Sequence, residues 1–263
     1  MNNRQLVFRK AKPSEDVVQW LYNELEEAYL SEVGQPKVTK KETFSPSSIG
    51  YGHGKCPRYW YLAFEGKYVF TQKTDARGMA NMMNGTKTHE RLQELLLKRG
   101  TIKETEIEIK IESPPIRGYI DGKIVLPSGE EIVIFEIKSA FSTAWEYRRG
   151  SGKPSDQHLL QLLIYLKATG AKRGVFLYEN KDTQEPLFLL VDLTADNDRL
   201  IEGVFEWLRE VRKAWEDQTL VARPTKRKDA VICKTCPLYA PCWNEVEDGE
   251  LKIKPMEVKL LDK

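Results

Sequence analysis

Residues 117–140 read RGYIDGKIVLPSGEEIVIFEIKSA, and the fold turns on them. Two runs rich in Ile, Val, Phe and Tyr flank Pro127-Ser128-Gly129. Proline presets φ there and glycine permits the turn, so the stretch predicts a β-hairpin. Residues 131–135, EIVIF, form the near-continuous apolar run of a strand covered on both faces, and Glu136 and Lys138 follow at once. Charges at the end of a buried strand need partners, because desolvating an unpaired ion costs on the order of several kcal/mol. If Ser128 and Gly129 are the two central turn residues, Asp121 faces Glu136 with Cβ atoms about 5 Å apart, and Lys138 points the same way. A three-residue turn would shift the register by one and put the two acids on opposite faces; the sequence leaves both registers open. On one face the carboxylates would repel by roughly 4 kcal/mol at an effective dielectric near about 20. That arrangement calls for a divalent cation, and hard oxygen donors suit Mg²⁺ or Mn²⁺.

An Asp followed by Glu-x-Lys on the neighbouring strand is a pattern of hydrolytic nucleases. The cation would activate water and offset phosphate charge, while Lys138 would position the nucleophile or stabilise the developing oxyanion. Gly118-Tyr119-Ile120-Asp121 with Glu136-Ile137-Lys138 resembles the PD-(D/E)xK nuclease superfamily. The resemblance implies that Asp121, Glu136 and the backbone carbonyl of Ile137 bind the metal and that Lys138 is catalytic. Ile120 is a departure, standing where the superfamily's name has proline.

The chain's 263 residues, 41% hydrophobic, suffice for one sizeable core. A net charge of +2 neither requires nor excludes nucleic acid, since basic residues can be confined to one groove. No run of about 18 apolar residues occurs and the start, MNNRQLVFRK, lacks an apolar segment, so a soluble cytoplasmic protein without a membrane partner is expected, in the host cytoplasm if viral. In such a compartment the four cysteines are metal ligands more often than disulfides. Cys233, Cys236 and Cys242 form C-x2-C-x5-C, and Cys56 is the remaining cysteine. Four thiolates suit either tetrahedral Zn²⁺ or an iron-sulfur cluster. The layout resembles the iron-sulfur nucleases of the RecB-like branch, including the AddB nuclease domain and the CRISPR-associated Cas-four exonucleases, which implies a [4Fe-4S] cluster tying the N- and C-terminal segments together.

Hydrophobic periodicity predicts helices over 13–30, 77–99, 154–169 and 196–218, and strands over 104–112, 174–179 and 187–193 besides the hairpin. Gly85 four residues before His89 resembles the first motif of RecB-like nucleases, which implies that His89 is a metal ligand; imidazole suits Mn²⁺ better than Mg²⁺. Gln161 and Tyr165 lie one helical turn apart on one face, and their spacing resembles a further RecB-type motif, which implies contact with substrate near the metals. The order helix, three strands, helix, strand is α/β; the resemblance to the nuclease superfamily implies for it the αβββαβ core of a restriction-endonuclease-like fold, with a central mixed sheet flanked by helices. Residues 142–149, a polar and aromatic loop or short helix with Trp145, Arg148 and Arg149, are either a grip on a single strand by stacking and phosphate contact or an ordinary solvated loop. Lys226, Arg227 and Lys228 are either a solvated basic run or further phosphate contacts.

The chain divides into an N-terminal extension (1–43), a nuclease-like domain (44–245) and a tail (246–263). The function expected is a Mg²⁺- or Mn²⁺-dependent DNA exonuclease acting on single strands or DNA ends in recombination, replication, repair or CRISPR spacer processing. Proteins of those processes and a second copy of the chain are its further expected partners. The alternative is a DNA-binding or scaffold protein that keeps a structural metal cluster and does not cut.

Overall fold

A computed structural model describes residues 16–72, 74–125 and 132–258. In chain order the elements are α1 (Asp16–Ser31), β1 (Lys37–Val38), α2 (Pro46–Ile49), α3 (Pro57–Glu65), β2 (Val69–Phe70), α4 (Ala76–Arg99), β3 (Ile107–Ile111), β4 (Ile116–Ile120), β5 (Gly122–Val125), β6 (Ile132–Ala140), α5 (Ser142–Ser151), α6 (Asp156–Thr169), β7 (Arg173–Asn180), β8 (Pro186–Asp192), α7 (Ala195–Glu216), α8 (Val231–Lys234) and α9 (Tyr239–Asn244). The main sheet runs β5-β6-β7-β8. Its β6-β7 pair is parallel and the other two are antiparallel, so the sheet is mixed and flanked by helices, as expected.

The hairpin has the register that pairs Gly122 with Phe135 and Lys123 with Ile134, which is the one that brings Asp121 up to Glu136. The turn itself, 126–131, lies outside the described residues. Its first strand is not continuous. At Asp121 the chain bends, and β4 leaves to pair with β3 in a separate two-stranded sheet. The three expected strands are therefore four, and of the loop or short helix open at 142–149 the structure has the helix, α5, ahead of the expected α6.

Strand β6 is apolar on both faces because both are covered. Ile134 and Ala140 belong to the large core with α6 and α7, whereas Phe135 and Ile137 pack with Leu92 and Leu96 of α4. Helix α6 contributes Leu160, Leu162, Leu163, Ile164 and Leu166, all buried; each such side chain is worth about 1.5–3 kcal/mol against exposure. Gly174 of β7 lets α6 approach, since a Cβ there would lie 2.7 Å from Leu162 Cδ1.

Candidate active site

The bend at Asp121 is held from two sides. Asp121 Oδ2 accepts the Ile137 N–H at 2.6 Å. Its carbonyl accepts Gln93 Nε2 at 3.1 Å, and the same amide reaches Glu106 Oε1 at 3.0 Å. The acid is thus fixed by the strand that carries Glu136. Its other oxygen, Oδ1, lies 3.3 Å from His89 Nδ1 on α4. Burial opposes protonation of that imidazole, but the hydrogen bond and charge of Asp121 prevail and raise its pKa.

Glu136 is 1% exposed. Its Oε1 accepts Lys138 Nζ at 2.6 Å and Gln161 Nε2 at 2.7 Å. Its Oε2 is buried and meets no donor among the described residues. Burial pushes this carboxyl up to about 7; the Lys138 ammonium pulls it back, and the charge of Asp121 adds to the rise. For Lys138, burial works downward, but the Glu136 charge and hydrogen bond outweigh it and the pKa is raised.

Gln161 braces the pair, with Oε1 accepting Lys138 Nζ at 3.3 Å and Nε2 lying 3.1 Å from Tyr165 Oη. Tyr165 is buried, and burial raises its pKa. It stands behind Gln161, not at the surface. Gly118 is closely packed here: a Cβ there would lie 3.0 Å from Pro46 and 3.1 Å from Tyr165 Cε1, so these neighbours would have to give way slightly.

Among the described residues, no three His, Cys, Asp or Glu side chains form a ready metal cage. The donor chemistry nevertheless fits a hard divalent cation: two carboxylates from adjoining strands, one with an unpartnered buried oxygen, and an imidazole beside them. The side chain of Ile137 is buried in the core, so only its backbone could join such a set.

Cys56, Cys233, Cys236 and Cys242 line one small cavity together with Arg223 and Tyr239, and none is in a disulfide. Burial raises the Cys56 thiol; a backbone hydrogen bond at Tyr59 opposes this, and the charges of the other three cysteines add to it. Four soft donors around one cavity fit a thiolate-bound metal or cluster. The tail that carries three of them is also held by arginines. Arg58, with no exposed surface, donates to Val221 O at 2.5 Å and Glu247 O at 2.5 Å, and Arg223 donates to Cys242 O at 2.7 Å.

The basic residues sit on separate elements. Arg148 and Arg149 are on α5, where Arg148 is half-buried over the Tyr178 ring and Arg149 pairs with Glu146. Lys226, Arg227 and Lys228 are exposed in the segment before α8, Arg227 bound to Asp229 and Lys228 over the Trp243 ring. Trp145 is not available for stacking: it is buried, and its Nε1 donates to Tyr178 O at 3.1 Å. One support of the site escaped the sequence reading. Gln93 follows His89 by four on α4, a same-face spacing that could have revealed it. His158, one turn before Gln161, has a structural place, its Nδ1 2.8 Å from Tyr178 Oη beside Lys138 on the neighbouring strand.

No family model matches the chain, and no curated protein sequence does. Solved structures do share its fold. The alkaline exonuclease LHK-Exo from Laribacter hongkongensis matches with a TM-score of 0.51 at 15% identity, over 74% of this chain and 95% of that one. LHK-Exo in complex with dAMP matches with a TM-score of 0.50 at 16% identity, over the same shares of the two chains. The crystal structure of SSO0001 is covered to 99%, over 89% of this chain, at 17% identity and a TM-score of 0.44. The fold is therefore one that an alkaline exonuclease also has. No helix among the described residues is long and apolar enough to cross a membrane.

Proposed function

We propose that this protein is a metal-dependent deoxyribonuclease of the PD-(D/E)xK superfamily, an exonuclease acting on single strands or DNA ends. The observation that carries the reading is the buried Glu136 carboxylate, held at Oε1 by Lys138 and Gln161 with Oε2 unpartnered, next to Asp121. Asp121, Glu136, the Ile137 carbonyl and His89 would hold Mg²⁺ or Mn²⁺, which when bound makes water a better nucleophile and offsets charge on the phosphate. Lys138, fixed between Glu136 and Gln161, would orient the attacking water and stabilise charge on the phosphoryl oxygens. Gln161 and Tyr165 act in this reading by bracing Lys138 and Glu136. LHK-Exo, named an exonuclease and solved with dAMP, supports a DNA substrate through its shared fold.

The four cysteines would bind a [4Fe-4S] cluster, with Zn²⁺ as the alternative. Arg148, Arg149, Lys226, Arg227 and Lys228 would supply phosphate contacts, and recombination, replication, repair or CRISPR spacer processing would be the setting. Incubating the protein with end-labelled single-stranded DNA and Mn²⁺ or Mg²⁺ tests the activity. Mononucleotides or short products that disappear with a chelator are expected; an intact strand under all metal conditions would overturn the reading.

A further inference from the structure

Two residues beyond Lys138 the catalytic strand ends at Ala140, and the corner that follows is pinned from several directions. Lys181 N donates to Ala140 O at 2.8 Å, and Ser142 N donates to Asp182 Oδ2 at 3.1 Å. The Ser142 hydroxyl meets the Asn180 side chain at 3.1 Å, and Asp182 N donates to Asn180 Oδ1 at 3.0 Å. This rigid corner presents Phe141, whose side chain packs into neither core cluster and is 44% exposed. The Lys181 ammonium lies 4.8 Å from the ring centroid. Burial lowers the Lys181 pKa, and among the described residues the ammonium makes one hydrogen bond, a long one of 3.4 Å to Asn81 O. It is a half-exposed cation seated against the Phe141 ring, with the Asp182 charge beside it.

Helix α4 connects this corner to the carboxylates. Asn81, Gly85 and His89 recur every four residues and so share a helix face. At one end His89 meets Asp121, and at the other Asn81 accepts from Lys181. Between them Gly85 lies over β6, where an added Cβ would stand 3.6 Å from Ser139 Oγ. At Gly85 the helix therefore rests on the strand in ordinary van der Waals contact. The Asn81 carbonyl and His89 are eight residues of helix apart, about 12 Å, the length of one or two nucleotides.

From this we infer that Phe141 and Lys181 form a nucleotide subsite beside the catalytic centre, an unpaired base stacking on the open side of the Phe141 ring while Lys181 takes the adjoining phosphate. The subsite rests on the nuclease reading and specifies its substrate as unpaired DNA at this position. A base plane suits the ring whatever its identity, because stacking on an aromatic face is worth about 1–3 kcal/mol per base and tolerates sequence. The preference is therefore for strandedness and not for a base.

The test is steady-state digestion of short single-stranded oligonucleotides with Mn²⁺, in which one abasic site is walked along successive positions. For wild type, one position should raise KM by roughly tenfold or more, the factor that stacking energy converts to. Phe141→Ala should show that same rise on intact DNA, with kcat within about twofold, and should lose sensitivity at that one abasic position; Phe141→Trp should restore it. Lys181→Gln should lower the slope of log KM against log salt by about one. Melting curves of Phe141→Ala and Phe141→Trp that match wild type would show that both are folded. A Phe141→Ala enzyme that digests intact and abasic strands with wild-type KM overturns the subsite and leaves the nuclease reading standing. A wild-type protein that digests no strand overturns both, so the two failures are distinguishable.

Discussion

The side-chain amide of Gln161 donates to Glu136 Oε1 at 2.7 Å, while Oε2 of the same carboxylate is buried without a donor. Leaving a buried polar atom unpaired costs about 1–3 kcal/mol, a cost that either a proton or a cation at Oε2 would relieve. Because the folded-state carboxyl is raised to about 7, it binds a proton more tightly folded than unfolded. The stabilisation this brings to the metal-free protein is present below the unfolded pKa, and it is lost as pH rises through about 7. The loss is on the order of 3 kcal/mol. Thermal melting in chelator should fall across that window for wild type and stay flatter for Glu136→Gln. Divalent-ion affinity, followed by titration calorimetry, should rise over the same window as the competing proton leaves.

Lys138 is held at 2.6 Å from Glu136 and 3.3 Å from Gln161, so its ammonium has little freedom. Lys138→Ala should reduce kcat by about 10²–10³, the size seen when one preorganised electrostatic donor is removed. Gln161→Leu should give a smaller loss, because it frees Lys138 without deleting it. Single-turnover rates at saturating Mn²⁺ separate these from binding effects. Equal rates for wild type and Lys138→Ala would remove the lysine from the chemistry.

The tail is fastened twice, by the cysteine cavity and by the Arg58 and Arg223 guanidinium groups. If the four thiols hold a metal, as proposed, Cys236→Ser should abolish it, with loss of a broad absorption near about 400 nm for an iron-sulfur cluster, while leaving a folded protein of lower melting temperature. Arg58→Ala strips buried carbonyls of their donor and should cost about 3 kcal/mol, visible in denaturant unfolding. A Cys236→Ser variant with unchanged metal content and melting would show that the thiols hold nothing.

Part of the site was legible in the sequence because β6 obeys a period of two, so Glu136 and Lys138 share a face; of the two hairpin registers open to the sequence, the pairing of Gly122 with Phe135 is the one that brings Asp121 to them. Gln161 and Tyr165 were legible from helical spacing, and they do meet, at 3.1 Å. What escaped depends on contacts distant in the chain. The break at Asp121 arises because β4 pairs with β3 while Ile137 N–H takes the Asp121 carboxylate, and no local residue pattern announces it. Trp145 among arginines looked like a surface aromatic, but the end of β7 buries it. Arg58 has the composition of a surface residue, and its carbonyl partners stand more than 160 positions away.

Salt should weaken DNA binding, since each phosphate neutralised releases counterions. Neutralising Arg149, Lys226, Arg227 and Lys228 together should lower the slope of log Kd against log salt by up to about four, one per lost contact. Fluorescence anisotropy with a labelled strand reads it. Arg148 is expected to contribute less to that slope, being half-buried over Tyr178. An unchanged slope would place the phosphate contacts elsewhere on the surface.

The most direct test is the rate of digestion of end-labelled single-stranded DNA at saturating Mn²⁺ by wild type, Asp121→Asn and Glu136→Gln, each confirmed folded by its melting curve. Both substitutions keep size and shape and remove one negative charge from the carboxylate pair that would hold the cation. The expected result is metal-dependent cutting by wild type and a loss of at least about 10³ in both variants. Cutting by Glu136→Gln and Asp121→Asn at the wild-type rate would contradict a catalytic centre at these two carboxylates.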